Sequence, residues 1–315
     1  MTIERRFDDN IARLLGTKYP IIQGGMANIA DHRLAAAVSN AGGLGLIATG
    51  GWGLERIREE IQKTRTRTSN PFGLNIMLMH PLKDEIAQLA IEEGVQVITT
   101  GAGNPSPFIE AWKEAGIIVI PVVPSVALAK RVARYGADAV IVEGTEAGGH
   151  IGETTTFTLV PQVVDAVGIP VIAAGGIADA RGVDAAFALG AKGVQVGTVL
   201  LSALECPIHE QYKEKIIKAK DTDTVVTGRE AKAPVRVLKN KMAVQYLKLS
   251  SQGVDRDELE ALTLGSLSRA VNDGDVDRGS FMAGQVSGLI RSVRTVEDIL
   301  RTMVHESLLL GGLYQ

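Results

Sequence analysis

The chain has 315 residues, of which 45% are hydrophobic, and this suits one large α/β domain with an insertion, or two domains. The formal net charge is −3 and the pI is about 6.0, so the overall charge provides no attraction to nucleic acid or to acidic membranes. A single cysteine excludes intramolecular disulfides and CxxC motifs, and the absence of any run of 18 apolar residues or of an apolar leader predicts a cytoplasmic protein outside the membrane.

Short apolar runs alternate with amphipathic stretches through the first two thirds of the chain. Eight runs predict β-strands: Pro20–Gln23, Leu44–Ala48, Phe72–Ile76, Val95–Thr99, Ile117–Pro121, Ala139–Val142, Pro170–Ala173 and Gly193–Val196. Six of the stretches between them predict helices: Asp31–Asn40, Gly53–Thr64, Leu82–Glu93, Ser106–Ala115, Ser125–Tyr135 and Ala180–Leu189. Asp31 and Ser125 are the predicted N-caps. This alternation indicates a parallel sheet.

Eight such units fit a TIM (β/α)8 barrel, and an open doubly wound sheet is the alternative. An open sheet is expected to show one glycine fingerprint at its switch point. Here glycine-rich or polar loops follow nearly every predicted strand, and this favours a barrel whose site is assembled from all the βα loops.

The pattern changes after about residue 203. Residues 205–275 are more charged and lack the alternation of strands, so we predict helices there. The segment RGSFMAGQVSG (278–288) is glycine-rich and apolar, which predicts that it folds back onto a site, and Thr295–Leu309 reads as a closing helix. We therefore predict a barrel formed by residues 1–204 and 279–315, with a smaller helical substrate or lid subdomain at 205–278.

The segment EGTEAGGHIG (143–152) directly follows the sixth predicted strand. The glycine pair 148–149 permits close approach of a ligand or positive φ, and His150 suits proton transfer near neutral pH. A glycine turn carrying a solvated histidine is the alternative. We interpret His32, His80, His209 and His305 as surface or structural residues. Cys206, in a polar stretch beyond the barrel, is interpreted as non-catalytic.

Two further glycine motifs follow the seventh and eighth strands: AAGGIAD (173–179) and QVGT (195–198). In TIM barrels these two loops often hold a phosphate group on backbone amides. Gly175 and Gly176 would let the backbone reach phosphate oxygens, while Gly197 and Thr198 would add amides and a hydroxyl. Simple tight turns are the alternative.

Other polar or glycine-rich groups end the first, third and fourth strands: QGGMA (23–27), Asn75 and TTGAGNPS (99–106). An amide such as that of Asn75 both donates and accepts hydrogen bonds, which suits the edge of a flavin ring. No histidine pair has zinc-ligand spacing, so no metal site is predicted. A basic run contains Arg229, Lys232, Arg236, Lys239 and Lys241, and it is either a solvated face or a docking patch for an acidic partner or a substrate phosphate.

With these motifs in place, the chain resembles a family of flavin-dependent TIM-barrel oxidoreductases over essentially its full length. The family includes nitronate monooxygenases (formerly 2-nitropropane dioxygenases) and FMN-dependent enoyl-acyl-carrier-protein reductases of type II fatty acid synthesis. The reductase branch is favoured by PIIQGGM (20–26), NIMLM (75–79), TTGAGNPS, IPVVPSVALAK (120–130), GSFMAGQ (279–285) and Ile151, where nitronate enzymes often carry arginine. The early end at Gln315 and the His80-Pro81 pair depart from the family pattern.

The resemblance implies a non-covalent FMN at the barrel mouth, with His150 as the catalytic residue. The cofactor-binding residues that it implies are Gly25, Met26, Ala27, Asn75, Thr100, Glu143, Gly148, Gly149, Ala174, Gly175, Gly176, Gln195, Gly197, Thr198, Met282, Gly284 and Gln285. Met282, Gly284 and Gln285 are expected to close over the cofactor.

The implied reaction is reduction of the trans-2 double bond of enoyl thioesters on acyl carrier protein, with NADH favoured over NADPH as co-substrate. The resemblance also implies a homodimer, a response to monovalent cations and docking of the acidic carrier on the basic run. A nitronate monooxygenase using O₂ is the main alternative, and an NAD(P)H:quinone reductase is another. A non-enzymatic flavin-binding or repressor-like protein does not need a proton-transfer residue, so we consider it the weakest reading.

Overall fold

A computed structural model describes residues 10–314 and shows a closed barrel of eight parallel strands. In chain order the strands between residues 21 and 196 are β1 (Ile21–Gln23), β2 (Gly45–Ala48), β3 (Phe72–Met77), β4 (Val97–Gly101), β5 (Ile118–Val123), β6 (Val140–Glu143), the short β7 (Gly149–His150), β8 (Val171–Ala174) and β9 (Gly193–Val196). All except β7 belong to the barrel. Ile22 of β1 lies opposite Gln195 of β9 and also bridges to Leu44 just before β2, which closes the ring. The predicted barrel is confirmed and the open sheet is wrong.

Helices surround the barrel, and all six predicted helices are present. They are α2 (His32–Asn40), α3 (Leu54–Arg65), α4 (Lys83–Glu92), α5 (Ser106–Glu114), α6 (Val126–Arg134) and α8 (Ala180–Ala188), joined by α1 (Asn10–Leu15), α7 (Thr156–Val164), α9 (Thr198–Leu201) and α14 (Val296–His305). Asp31 and Ser125 accept hydrogen bonds from the amides of Arg33 and Leu128, so both predicted caps are confirmed. The closing helix α14 packs on α8 and α2 and completes the outer ring.

The barrel interior is filled with aliphatic side chains, and the helix α1 adds to it. Ile22, Leu46 and Ile141 are fully buried in one cluster that also contains Ile11 and Leu15 of α1. Each fully buried side chain of this kind contributes about 1.5–3 kcal/mol relative to exposure. The interior is therefore a packed core, and a ligand can be accommodated only beyond the ends of the strands.

The subdomain at 205–278 is largely helical, as predicted. Its helices are α10 (Glu210–Ile217), α11 (Lys241–Ser251), α12 (Arg256–Thr263), α13 (Ser266–Ser268) and a π-helical turn at Arg269–Asp273, and a 3-10 helix at Gln285–Leu289 follows it in the closing segment. The domain boundaries themselves stay a prediction.

The expectation that residues 205–275 contain no strands is wrong. They hold an antiparallel hairpin, β10 (Thr224–Thr227) and β11 (Val235–Leu238), and β11 also pairs with β7 beside the barrel mouth. Each strand has only four residues, and β11 carries an arginine within an apolar pattern, so the stretch reads as part of a charged run. Among residues 10–314, none of the helices combines the length and apolar character needed to cross a membrane.

Candidate functional site

A cavity of about 430 Å³ opens at the carboxyl ends of the barrel strands, and every barrel strand contributes to its wall through its last residues or the loop that follows it. Because parallel strands end at one face, the sequence motifs that follow separate strands meet there. His150 lines this cavity together with all but three of the residues predicted to bind the cofactor. Those lining residues are Gly25, Met26, Ala27, Asn75, Glu143, Gly148, Gly149, Ala174, Gly175, Gly176, Gln195, Gly197, Thr198 and Met282.

The other three predicted residues lie behind the wall or outside it. Thr100 is 1% exposed within β4, opposite Pro121 of β5. The amide of Gly284 donates to Thr198 Oγ1 at 2.9 Å, and the amide of Gln285 donates to the carbonyl of Glu146 at 2.9 Å. The structure thus gives Gly284 and Gln285 backbone contacts that fix the wall of the cavity.

Glu146 is a cavity residue that the sequence reasoning did not select. Its carboxylate accepts from the Thr156 amide at 3.0 and 2.9 Å and from Thr156 Oγ1 at 2.9 Å, at the start of α7. A carboxylate at a helix N-terminus is stabilised by the free amides and the helix dipole. The signal available in the sequence was its place within EGTEAGGHIG, directly before the alanine and the glycine pair. Gly50 and Met77 also line the cavity without having been predicted, and the segment 101–103 lines it as part of the motif TTGAGNPS singled out in the sequence.

Asn75 is held in one orientation by its neighbours. Its Nδ2 donates to Thr99 Oγ1 at 2.9 Å on the adjacent strand. The side chain packs directly over Gly25, where a Cβ would lie 2.3 Å from Asn75 Oδ1. Position 25 in QGGMA must therefore be glycine, because any side chain there would collide with the Asn75 amide in the cavity wall.

His150 lies in a β-ladder and not on a free hinge. It belongs to β7, where it lies opposite Val235 of β11, and the amide of Ile151 donates to the Pro234 carbonyl at 3.1 Å. The side chain is open to solvent at the mouth of the cavity, but surrounding protein displaces part of its water shell. This desolvation lowers the pKa of His150 below its ordinary value near 6.5, so the neutral imidazole dominates at pH 7.

Glu143 is the most perturbed acid in the cavity. It ends β6 and lines the cavity, and burial raises its pKa to about 7. A water-sized molecule in the cavity can reach the side chain, yet protein surrounds it closely enough to disfavour the charged form. At neutral pH a substantial fraction of molecules therefore carry this carboxyl group in its protonated form, which is able both to donate and to accept a hydrogen bond.

The cavity wall fits a flavin mononucleotide. Gln195 Oε1 is buried without a hydrogen-bond partner among residues 10–314, and it would gain one from a ligand with a donor edge. A Cβ at Gly197 would have the Met26 sulfur, 3.7 Å away, as its nearest neighbour, so a side chain there would extend into the cavity. Gly175 and Gly176 have φ of +88° and +75°, a conformation that glycine adopts without strain. An apolar face, two amide side chains and a glycine cradle match a planar ring with a phosphate tail.

The profile of the nitronate monooxygenase family matches residues 9–306. The chain belongs to this family. It is 35% identical to a probable nitronate monooxygenase of Staphylococcus aureus (strain JH9), over 95% of this chain and 97% of that protein. It is 33% identical to the (3aS,4S,5R,7aS)-5-hydroxy-7a-methyl-1-oxo-octahydro-1H-indene-4-carboxyl-CoA dehydrogenase of Mycobacterium tuberculosis (strain ATCC 25618 / H37Rv), over 95% of both chains.

Two solved structures resemble this chain to different degrees. FabK from Thermotoga maritima is 49% identical with a TM-score of 0.92, covering 94% of this chain and 95% of that one. The nitroalkane oxidase of Streptomyces ansochromogenes is 26% identical with a TM-score of 0.82, covering 97% and 99%. The predicted family is confirmed, and the protein is an oxidoreductase of this family.

The basic run of this family member is only partly available to a partner. Arg236 is 7% exposed, so its prediction as a docking residue is wrong. Arg229 pairs with Glu153 at 2.7 Å and Lys241 pairs with Asp277 at 2.7 Å. Lys232 and Lys239 are exposed, and Lys239 donates to the Thr222 carbonyl.

The remaining histidines and the cysteine make contacts outside the cavity. His80 accepts from the Leu82 amide, His209 from the Gln211 amide, and His305 contacts the Tyr19 hydroxyl. Burial raises the pKa of Cys206 to about 12, so its thiol stays protonated near neutral pH.

His32 Nδ1 lies 2.6 Å from Glu60 Oε2, and Asp31 completes the only cluster of potential metal ligands within residues 10–314. The two carboxylates already accept hydrogen bonds from protein groups.

Proposed function

We propose that the protein is an FMN-dependent enoyl-acyl-carrier-protein reductase. The observation that carries this proposal is its similarity to the enoyl-acyl-carrier-protein reductase FabK, at 49% identity over 94% of the chain, against 26% for the nitroalkane oxidase. The M. tuberculosis relative, whose name specifies a CoA thioester, supports the same class of substrate. The net reaction consumes NADH or NADPH and a proton, and adds two hydrogens across the C2–C3 double bond of the enoyl thioester.

We assign a role to each group in the cavity that would hold the cofactor. Gly175, Gly176, Gly197 and Thr198 would hold the phosphate on amides and a hydroxyl, while Asn75 and Gln195 would meet the polar edge of the ring. When bound, FMN would supply the hydride-transfer chemistry between the reduced nicotinamide and the enoyl thioester.

His150 is the residue that we place at the reacting carbon atoms. Its lowered pKa keeps the imidazole neutral at pH 7, with one nitrogen as a donor and the other as an acceptor. The N–H can polarise the thioester oxygen as negative charge develops there, and the ring can move the proton that Cα requires. Apolar side chains at the mouth would exclude water from the acyl chain: Val122, Pro124, Leu128, Ile151, Leu267 and Val286.

Half-reactions test this proposal directly. The purified yellow enzyme is reduced anaerobically with NADH, crotonyl thioester is added, and flavin absorbance is followed. We expect rapid reoxidation of the flavin by the thioester, and a variant with glutamine at position 150 should bind flavin normally yet reoxidise slowly. Reduced flavin that persists in the presence of the thioester would contradict an enoyl reductase.

Nitronate oxidation is the second candidate, because the family profile spans residues 9–306 and the S. aureus relative is 35% identical. In that case the enzyme would use the same cavity and His150, with O₂ as the electron acceptor and without NADH. Rapid reduction of an oxidised sample by an alkyl nitronate, with no reoxidation by the thioester, would support this reading. Reoxidation by a quinone alone would favour the quinone reductase.

A further inference from the structure

Strand β11 contacts two separate parts of the cavity wall. Val235 and Arg236 lie opposite His150 and Gly149 of β7 on one side. Val237 forms an antiparallel bridge with Met282, and the Leu238 amide donates to the Phe281 carbonyl at 2.9 Å. His150 and Met282 both line the cavity, so this one strand of the subdomain connects the loop that carries the histidine to the closing segment.

Arg236 lies at the centre of this arrangement. Its Nε donates to the Thr145 carbonyl at 3.1 Å and its Nη1 donates to Thr224 Oγ1 at 3.1 Å. Within residues 10–314 no carboxylate forms an ion pair with it, and Glu146 acts on it from beyond ion-pairing distance. A guanidinium remains charged in proteins, so burying the Arg236 side chain with only neutral hydrogen-bond acceptors costs desolvation energy.

The carbonyl that Arg236 holds belongs to the loop that leads to His150. Residues 144–149 contain three glycines, so fixing this loop costs more backbone entropy than fixing an ordinary one. The Arg236 contact at Thr145 and the β-ladder at 149–150 hold the loop at both ends. An apolar residue at 236 would fill the hairpin without holding Thr145.

We infer that Arg236 is a positioning residue, which fixes His150 at the cavity mouth by holding the Thr145 carbonyl against β11. The inference rests on the proposed function only for the choice of substrate. It replaces docking of a carrier protein as the reason for a cation at this position, and it makes the subdomain hairpin part of the apparatus that orients the histidine.

The test compares holoenzymes carrying Arg236→Met, Arg236→Lys and Arg229→Met. Arg229 is the matched control because it also links this hairpin to the chain next to His150, through an ion pair with Glu153. That ion pair lies in solvent. Three quantities are measured: flavin reduction by NADH, flavin reoxidation by crotonyl-CoA, and hydrogen exchange of the Ile151 amide, which reports the bond to Pro234.

We expect Arg236→Met to retain flavin and its reduction by NADH, to exchange faster at Ile151, and to reoxidise about tenfold more slowly or worse, equivalent to about 1.4 kcal/mol. Lysine should restore part of the rate because it keeps one charged donor. Arg229→Met should match the natural protein. A purely structural role predicts lower thermal stability with unchanged reoxidation in the folded holoenzyme, and that result would overturn the inference.

Two outcomes would change which measurement tests the inference. If Arg236→Met does not fold, Arg236→Lys decides, and unchanged exchange and reoxidation in that variant would refute the positioning role. If crotonyl-CoA fails to reoxidise the natural protein, the proposed function fails. Exchange at Ile151 and the rate with an alkyl nitronate then still test Arg236.

Discussion

Glu143 offers a quantitative test of the cavity electrostatics. Burial raises its pKa from 4.5 to about 7, so between these values the folded protein holds a proton that the unfolded chain has released. Stability therefore falls as pH rises through this window and levels off above pH 7. The difference between the two values sets an upper limit of about 3 kcal/mol on the penalty. Because Glu143 lines a cavity that water can reach, we expect about 1–3 kcal/mol.

Replacing Glu143 with glutamine removes the titration and keeps a polar side chain of similar shape. The variant should exceed the stability of the natural protein by less than about 1 kcal/mol near pH 5 and by about 1–3 kcal/mol at pH 8. Urea unfolding of flavin-free protein measures this through the buried Trp52 and Trp112, since bound ligand would add its own stabilisation. Glu153→Gln, at an exposed carboxylate, should change stability by less than about 0.5 kcal/mol at both pH values. A Glu143→Gln difference that is the same at pH 5 and pH 8 would refute the reasoning.

Three further substitutions test the proposed site. His150→Gln should keep flavin and lose enoyl reduction by at least about 100-fold, and near-normal turnover would remove the histidine from the mechanism. Gly25→Ala should lower flavin content because the new Cβ would lie 2.3 Å from Asn75 Oδ1, whereas unchanged flavin binding would show that the wall adapts. Lys232→Glu should raise KM for carrier-bound substrate but not for the CoA thioester, and Lys130→Glu, also at an exposed lysine, is the control. Equal effects on both substrates would exclude docking at Lys232.

The barrel and much of the cavity wall could be predicted because both depend on local sequence patterns. Strands buried on both faces read as short apolar runs such as that of β5, and each glycine motif follows a strand end. In a closed parallel barrel all these ends meet, so motifs far apart in the chain needed no further information to be brought together.

Contacts between distant segments could not be predicted in this way. The Gly284 amide reaches Thr198 across 86 residues, and Arg236 reaches Thr145 across 91. Nothing in the local pattern of either partner specifies the other. Arg236 in the basic run 229–241 was misread for the same reason, since a charged side chain looks exposed in sequence until its burial is known.

The cavity wall divides into two parts with different origins. The residues that we propose to hold the flavin, such as Asn75, Gly176 and Gly197, lie on barrel strands or in the loops that directly follow them. His150 and Met282, at the open side, are held by β11 of the subdomain. Since the family includes proteins named for different reactions, we expect the barrel part to hold a shared cofactor and the β11 part to select the substrate. Exchanging the hairpin 224–238 for that of a nitronate monooxygenase should therefore alter thioester turnover more than flavin content, and the reverse result would contradict this division.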